Sequence, residues 1–393
     1  MPSFESRYAA YCDALDANSQ RRRLLPSREP VAGQTLLADF SHNDYLGLAH
    51  DPAALEAALA AGRMHGVGAT GSRLLSGNLA PHVELEAAIA AAKGTEAALV
   101  FNSGFQANAS ALAALLDTAA LGAEPLVFSD RLNHASLHHA CQLMNVRQVR
   151  YRHNDMTHLR SLLETHRSDP RPRFIVAETV FGMDGDQVNM AALTALAAEF
   201  DALLYLDEAH ATGVFGETGY GLASGWMQRD GRSLGVAMGT FSKALGVAGA
   251  YVACSQAVRD YLLNRCGGFI YSTAPSPLVI GAALHHWQRL PQMAEQRTAL
   301  QEKARTLRER LHILGFDTGA SSTHIVPIIV GAAQTAIDLK QWLLDRGILV
   351  SAIRPPTVPP HGARIRIALS ATHSTAQIDT LMAALTAWKQ QAL

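Results

Sequence analysis

The sequence predicts an α/β fold: a large domain with a mostly parallel sheet flanked by helices, a smaller C-terminal α+β domain and an N-terminal helical arm. From about residue 85 to 255, short apolar runs (AALVF, PLVFS, RFIVAE, ALLYLDE, LGVAMGT, AGAYVAC) alternate with segments of helical periodicity. Runs that are apolar throughout suit strands covered by helices on both faces. Beyond about residue 277 the rhythm changes to a long helical segment (277–314), the strand HIVPIIV, the helix TAIDLKQWLLDRG, the strand-like ILVSAI and RIRIAL, and a terminal helix from Gln377.

These signals divide the chain into an arm over 1–45, a large domain over 46–285 and a small domain over 286–393. In the arm, residues 2–25 read as an amphipathic helix ending in Arg21, Arg22 and Arg23, followed by a link through Pro26, Pro30 and Gly33. No repeat of fixed period and no low-complexity linker interrupts the rest.

Charge balance excludes several partners. With 33 Lys+Arg against 34 Asp+Glu, the formal net charge of -1 provides no field to attract nucleic acid or an anionic membrane. Cys12, Cys141, Cys254 and Cys266 are scattered, with neither a CxxC pair nor metal-ligand spacing, so reduced thiols and no metal site are expected. No stretch approaches the ~18 apolar residues of a spanning helix, and no secretory h-region opens the chain. The expectation is a cytoplasmic protein.

Three features fall at the ends of predicted strands, where open α/β sheets place their ligands. In GTFSKALG, Lys243 stands among Gly239, Ser242 and Gly246. Alone, such a lysine is usually a solvated loop residue. Its small neighbours, however, let a planar cofactor approach the backbone, and an amine in a closed site acquires the lowered pKa that Schiff-base chemistry needs. In LLYLDEAHATG a strand delivers Asp207 and then His210. The acid could simply cap the next helix. Paired with the lysine, it has a specific chemical use, which is to keep a pyridine nitrogen protonated so that the ring becomes an electron sink, with His210 bonding the ring oxygen. In NSGFQANASAL, Ser103 and Gly104 end a strand and open a helix, a turn suited to a phosphate monoester but equally to an ordinary serine cap. Thr240 offers the phosphate a hydroxyl, and His134 in DRLNHASLHHA can stack on the ring, although the chain has 17 His.

With these motifs in place, the chain resembles the α-oxoamine synthases, fold-type-I pyridoxal-phosphate enzymes. The similarity runs in unbroken order over residues 40–375, through FSHNDYLGLA, GVGATGSRLLSGN, SGFQAN, DRLNHASLHHA, VFGMDGD, LDEAHATGVFGETG, GTFSKALG, FIYSTAPSP and RPPTVPPHGARIRIALSATH. GSRLLSGN and RPPTVP look most like the members that join L-alanine, with loss of carbon dioxide, to a pimeloyl thioester on coenzyme A or an acyl carrier protein. The resemblance implies pyridoxal 5'-phosphate as cofactor and a homodimer with shared sites. It makes Lys243 the Schiff-base lysine and catalytic base, Asp207 the partner of the pyridine nitrogen, His210 the partner of the ring oxygen and His134 the stacking residue. Ser103, Gly104, Phe105 and Thr240 become phosphate-end contacts, while Ser272 and Thr273 reach the phosphate of the neighbouring subunit. Arg366, helped by Asn43, holds the amino-acid carboxylate, and Arg21 and Thr357 match positions for the acyl substrate. The Arg21–Arg23 run can equally be a solvated helix end.

One departure is Gly182 in VFGMDG, where the family often has a serine near the cofactor, so that only backbone acts there. Glycine-using sister enzymes share nearly all these motifs. An aminotransferase or lyase could use the same lysine and aspartate, whereas a non-catalytic partner subunit would be expected to lack Lys243.

Overall fold

The computed structural model describes residues 3–22, 24, 38–229 and 232–391. Cα packing separates two compact units, one of Asn43–Gly182 and Asp186–Ala299, the other of Met183–Gly185, Leu300–Leu393 and the described part of Met1–His42.

The larger unit is organised by a seven-stranded sheet. Its strands are β1 (Ala97–Phe101), β2 (Leu126–Asp130), β3 (Gln148–Tyr151), β4 (Arg173–Glu178), β5 (Ala202–Asp207), β6 (Gly235–Thr240) and β7 (Ala250–Cys254). In space they run β1-β7-β6-β5-β4-β2-β3, with only β7 antiparallel to its two neighbours. Apolar residues cover both faces. Leu99, Phe101, Val127, Val176 and Val252 pack one core, and Phe128, Ile175, Leu204, Leu206 and Ala237 pack the other. Five-residue β1 and β7 are buried at every position, as a strand enclosed by helices must be. The third strand, QVRY, escapes the apolar-run reading because it is only partly covered, with Gln148 half-buried and Arg150 exposed.

Two expectations about helices need correction. The helical segment expected over 277–314 is broken: Pro277–Arg289 gives way to a 3-10 turn over Leu290–Met293 before Ala294–Ile313. Pro291 supplies no N–H to an α-helical ladder, which accounts for the turn. The arm helix spans Phe4–Ala17 rather than 2–25 and buries none of its residues. It stops where Asn18 turns its side chain back to the Ala14 carbonyl and Ser19 takes a left-handed φ of 55°. Arg21 and Arg22 therefore follow the helix, while Arg23, Pro26, Pro30 and Gly33 lie outside the described residues.

The smaller unit carries an antiparallel sheet of β8 (Ile325–Gly331), β9 (Ser351–Ile353) and β10 (Ala363–Ala368), in the order β8-β10-β9. The ILVSAI run is divided, its first half, Ile348–Leu349, pairing in parallel with Ala38–Asp39. Among the described residues, no helix is long and apolar enough to cross a membrane.

The turn following β4 is pinned by His153, which bonds Asp130 at 3.0 Å and Asp186 at 3.1 Å. Burial alone would lower the basicity of His153, but the hydrogen bonds and charges of the two carboxylates outweigh it and raise the imidazole to about 10. A raised folded-state pKa adds stability in full below the unfolded value of about 6.5, and loses it as pH climbs through about 10. Urea unfolding of wild type and His153→Ala is thus expected to show its largest difference near pH 6 and a shrinking one towards pH 10. A difference constant across that range would disprove the cationic clasp.

Candidate active site

The carboxyl ends of β1, β4, β5 and β6 deliver the chemistry of the larger unit. Asp207 closes β5 and is buried. Its Oδ1 accepts the Ala209 N–H at 2.8 Å and its Oδ2 accepts the Asn108 amide at 2.7 Å. Asn108 reaches it because the helix opened by Gly104–Ala107 widens into a π-turn over Asn108–Leu112, a distortion often associated with function. The amide oxygen of Asn108 accepts from the Tyr205 hydroxyl at 3.1 Å, which orients the amide with its N–H groups towards Asp207 and Ser136. Asp207 thereby presents a fixed carboxylate, able to keep a heteroaromatic nitrogen protonated.

Lys243 lies three residues beyond β6, half-buried, in a loop that closes at Gly246. There φ is +63° and a Cβ would stand 2.5 Å from the Ala49 backbone nitrogen, so a larger residue would unseat the loop. The Lys243 Nζ is 2.9 Å from His210 Nε2, and His210 Nδ1 is 2.6 Å from the Tyr45 hydroxyl, which itself donates to Asn43 Oδ1 at 3.0 Å. With Lys243 as an ammonium donor, one proton arrangement satisfies the row: Nε2 accepts, Nδ1–H donates to Tyr45 and Tyr45 donates to Asn43.

His134 caps the helix Ala135–Leu143, its Nδ1 accepting the Ser136 N–H at 3.3 Å and lying 2.7 Å from the Ser136 hydroxyl. Accepting at Nδ1 fits a neutral ring. Desolvation by the surrounding protein lowers the basicity of His134, Asp207 opposes this and Lys243 reinforces it. Asn108 donates to the same Ser136 hydroxyl at 3.0 Å, so His134 and Asp207 belong to one network.

At the other end, Ser103 accepts the Gln106 N–H at 3.2 Å and leaves the Gly104–Phe105 turn open to solvent. A Cβ on Gly104 would come within 3.6 Å of Thr240, whose hydroxyl is fixed by the Gly249 carbonyl at 2.8 Å. Gln106 also donates to the Ser272 hydroxyl at 2.7 Å, and Asn102 to the Thr273 carbonyl at 3.0 Å, so both positions sit beside this turn within one chain. Gly182 is buried against His210: a Cβ there would fall 2.2 Å from Nε2, leaving no room for a side chain with the ring in this position.

Lys243, Asp207, His210, His134, Asn43, Ser103, Gly104, Phe105, Thr240, Gly182, Ser272 and Thr273 thus share the larger unit. Arg21, Thr357 and Arg366 belong to the smaller one. There Arg366 is buried in β10, opposite Pro327 and Ser351. Thr357 receives a 2.9 Å bond from Arg22, whereas Arg21 pairs with Asp16 at 2.6 Å. Tyr45 and Asn108 were legible only as members of motifs, since their partners lie far away in sequence and a π-turn has no propensity signature.

The family model "Aminotransferase class I and II" matches residues 37–385. The 8-amino-7-oxononanoate synthase of Gluconacetobacter diazotrophicus is 48% identical over 393 residues, covering 98% of this chain and 97% of its own. That of Geotalea daltonii is 46% identical, covering 91% and 90%. Among solved structures, a serine palmitoyltransferase from S. paucimobilis with bound PLP-myriocin superposes with a TM-score of 0.88 at 27% identity, covering 100% of this chain and 99% of that one. Pyridoxal 5'-phosphate is the cofactor these relationships indicate. The residues fit it: an amine at Lys243 beside the His210 imidazole, a buried acid at Asp207 joined to His134 through Asn108 and Ser136, and an uncrowded turn at Gly104 beside the Thr240 hydroxyl. The chain belongs to the aminotransferase class I and II family of pyridoxal-phosphate enzymes, and within it to the 8-amino-7-oxononanoate synthase group of the α-oxoamine synthases.

Proposed function

We propose that this enzyme condenses L-alanine with a pimeloyl thioester, releasing thiol and carbon dioxide, as a step of biotin synthesis. The observation that carries the reading is the pairing of Lys243 with His210 at 2.9 Å beside the buried, oriented Asp207, in a chain sharing nearly half its residues with enzymes of that name. Bound pyridoxal phosphate supplies an electron sink for carbanion chemistry. Lys243 attaches it and, once its amine is released, moves the proton at the alanine Cα; Asp207 holds the ring nitrogen protonated. His134 stacks on the ring and His210 bonds its oxygen, while Ser103, Gly104, Phe105 and Thr240 hold the phosphate. Gly182 adds backbone beside the ring. Arg366, with Asn43, fixes the alanine carboxylate so that the Cα–H bond stands perpendicular to the ring plane. Arg21 and Thr357 serve the acyl chain.

The acting form in this reading is a homodimer in which Ser272 and Thr273 complete the neighbouring subunit's phosphate site. Exposed Leu75, Val67, Met64 and Tyr271 give the larger unit apolar surface for a second copy to cover. Incubating the holoenzyme with alanine and either pimeloyl-CoA or pimeloyl-carrier protein should release thiol together with a product of the expected mass. Preference for glycine with acetyl- or succinyl-CoA would overturn the substrate assignment.

A further inference from the structure

Glu178 closes β4 directly opposite Asp207 in the sheet register, and it is buried. Its Oε2 accepts the Gly182 N–H at 3.4 Å, and its own backbone N–H donates to Oδ1 of Asn133, the residue before His134, at 3.2 Å. It therefore ties together two walls of the site. One is the segment that presents the His134 ring, the other the turn whose Gly182 lies against His210. The groups facing it across the neighbouring elements are Asp207 on β5 and Lys243 beyond β6, with His134 and His210 at the margins. Burial is the main influence favouring its protonated form and the negative charge of Asp207 adds to it. Lys243 and the Gly182 N–H oppose, leaving the carboxyl at about 8. Two ionised carboxylates side by side in a low-dielectric site are costly, which favours a neutral Glu178 next to Asp207.

We propose that Glu178 is a positioning residue that acts as a neutral carboxylic acid next to Asp207, holding the Gly182 backbone, and that its ionisation at alkaline pH adds a second negative charge to the site of Lys243. This rests on Lys243 being the attachment point. The neutral acid leaves the proton on that nitrogen easy to remove. The ionised form holds it more tightly, because a neighbouring opposite charge favours the protonated cation, typically by about one unit or more.

Glu178→Gln tests it, since glutamine keeps a carbonyl acceptor for the Gly182 N–H but cannot ionise. In the cofactor-loaded protein, the pH midpoint of the visible absorbance is expected about one unit lower in the variant than in wild type. Cofactor affinity at pH 6.5, where both side chains are neutral, should change by less than about threefold. A merely structural residue would leave the midpoint in place, and equal midpoints in folded, loaded proteins would overturn the proposal. Should the variant fail to fold, infrared difference spectra of cofactor-free wild type take over. A buried protonated carboxyl stretch is expected at pH 6.5 and lost by pH 9.5, and no such band at pH 6.5 would overturn it. If wild type itself binds the cofactor without a visible band, the Lys243 reading fails, while the infrared result still decides the state of Glu178.

Discussion

Lys243→Ala is expected to fold, to lack the visible absorbance of lysine-bound pyridoxal phosphate, and to lose at least about 10^3-fold in condensation rate. The side chain is half-buried and its loop is shaped by Gly246, not by the lysine. Truncation there removes the 2.9 Å contact with His210 and no side chain of the packed core, so stability should change by only about 1 kcal/mol. What disappears is the amine that contacts His210, itself bonded to Tyr45, which the proposed function uses to attach the cofactor and move the Cα proton. Circular dichroism separates this from misfolding: a native spectrum with no turnover supports the assignment. Full condensation activity in the variant would remove Lys243 from the chemistry.

Lys93→Met should be the most destabilising single change near the site, costing about 3–5 kcal/mol. Lys93 ends the helix Ala80–Lys93, is fully buried, ion-pairs with Glu208 and donates to the Tyr220 carbonyl at 2.7 Å. Glu208 follows Asp207 directly and accepts the Ala223 N–H at 2.7 Å, so the pair anchors the chain leaving β5. Methionine in place of Lys93 strands the carboxylate in the interior beside Asp207. Adding Glu208→Gln to the variant removes that charge and is expected to recover much of the loss. Urea unfolding of the two single variants and the double variant measures this coupling; strictly additive costs would show that the pair is not the source of the stability.

The parallel sheet was legible because strands enclosed by helices must be apolar end to end, as AALVF and ALLYLDE are. QVRY was not, since it is only partly covered and keeps the polar side chains of Gln148 and Arg150. Asp207, His210 and Lys243 stood out through their offsets from strand ends, a local property. The residues that orient them did not. Asn108 reaches Asp207 only through a π-turn, Tyr45 meets His210 across 165 positions, and Glu178 reads as the last residue of a strand until burial beside Asp207 makes it an acid. Gly182 was visible as a departure from the serine expected there. Its closeness to the His210 ring, which leaves a side chain no space, belongs to tertiary structure alone.

The most direct measurement is to reduce the holoenzyme with borohydride, digest it and locate the pyridoxyl group by mass spectrometry. The peptide containing Lys243 should carry the modification, in near-stoichiometric yield and without significant labelling elsewhere. A pyridoxyl group on another lysine, or none on any peptide of a protein that retains full activity, would contradict the account.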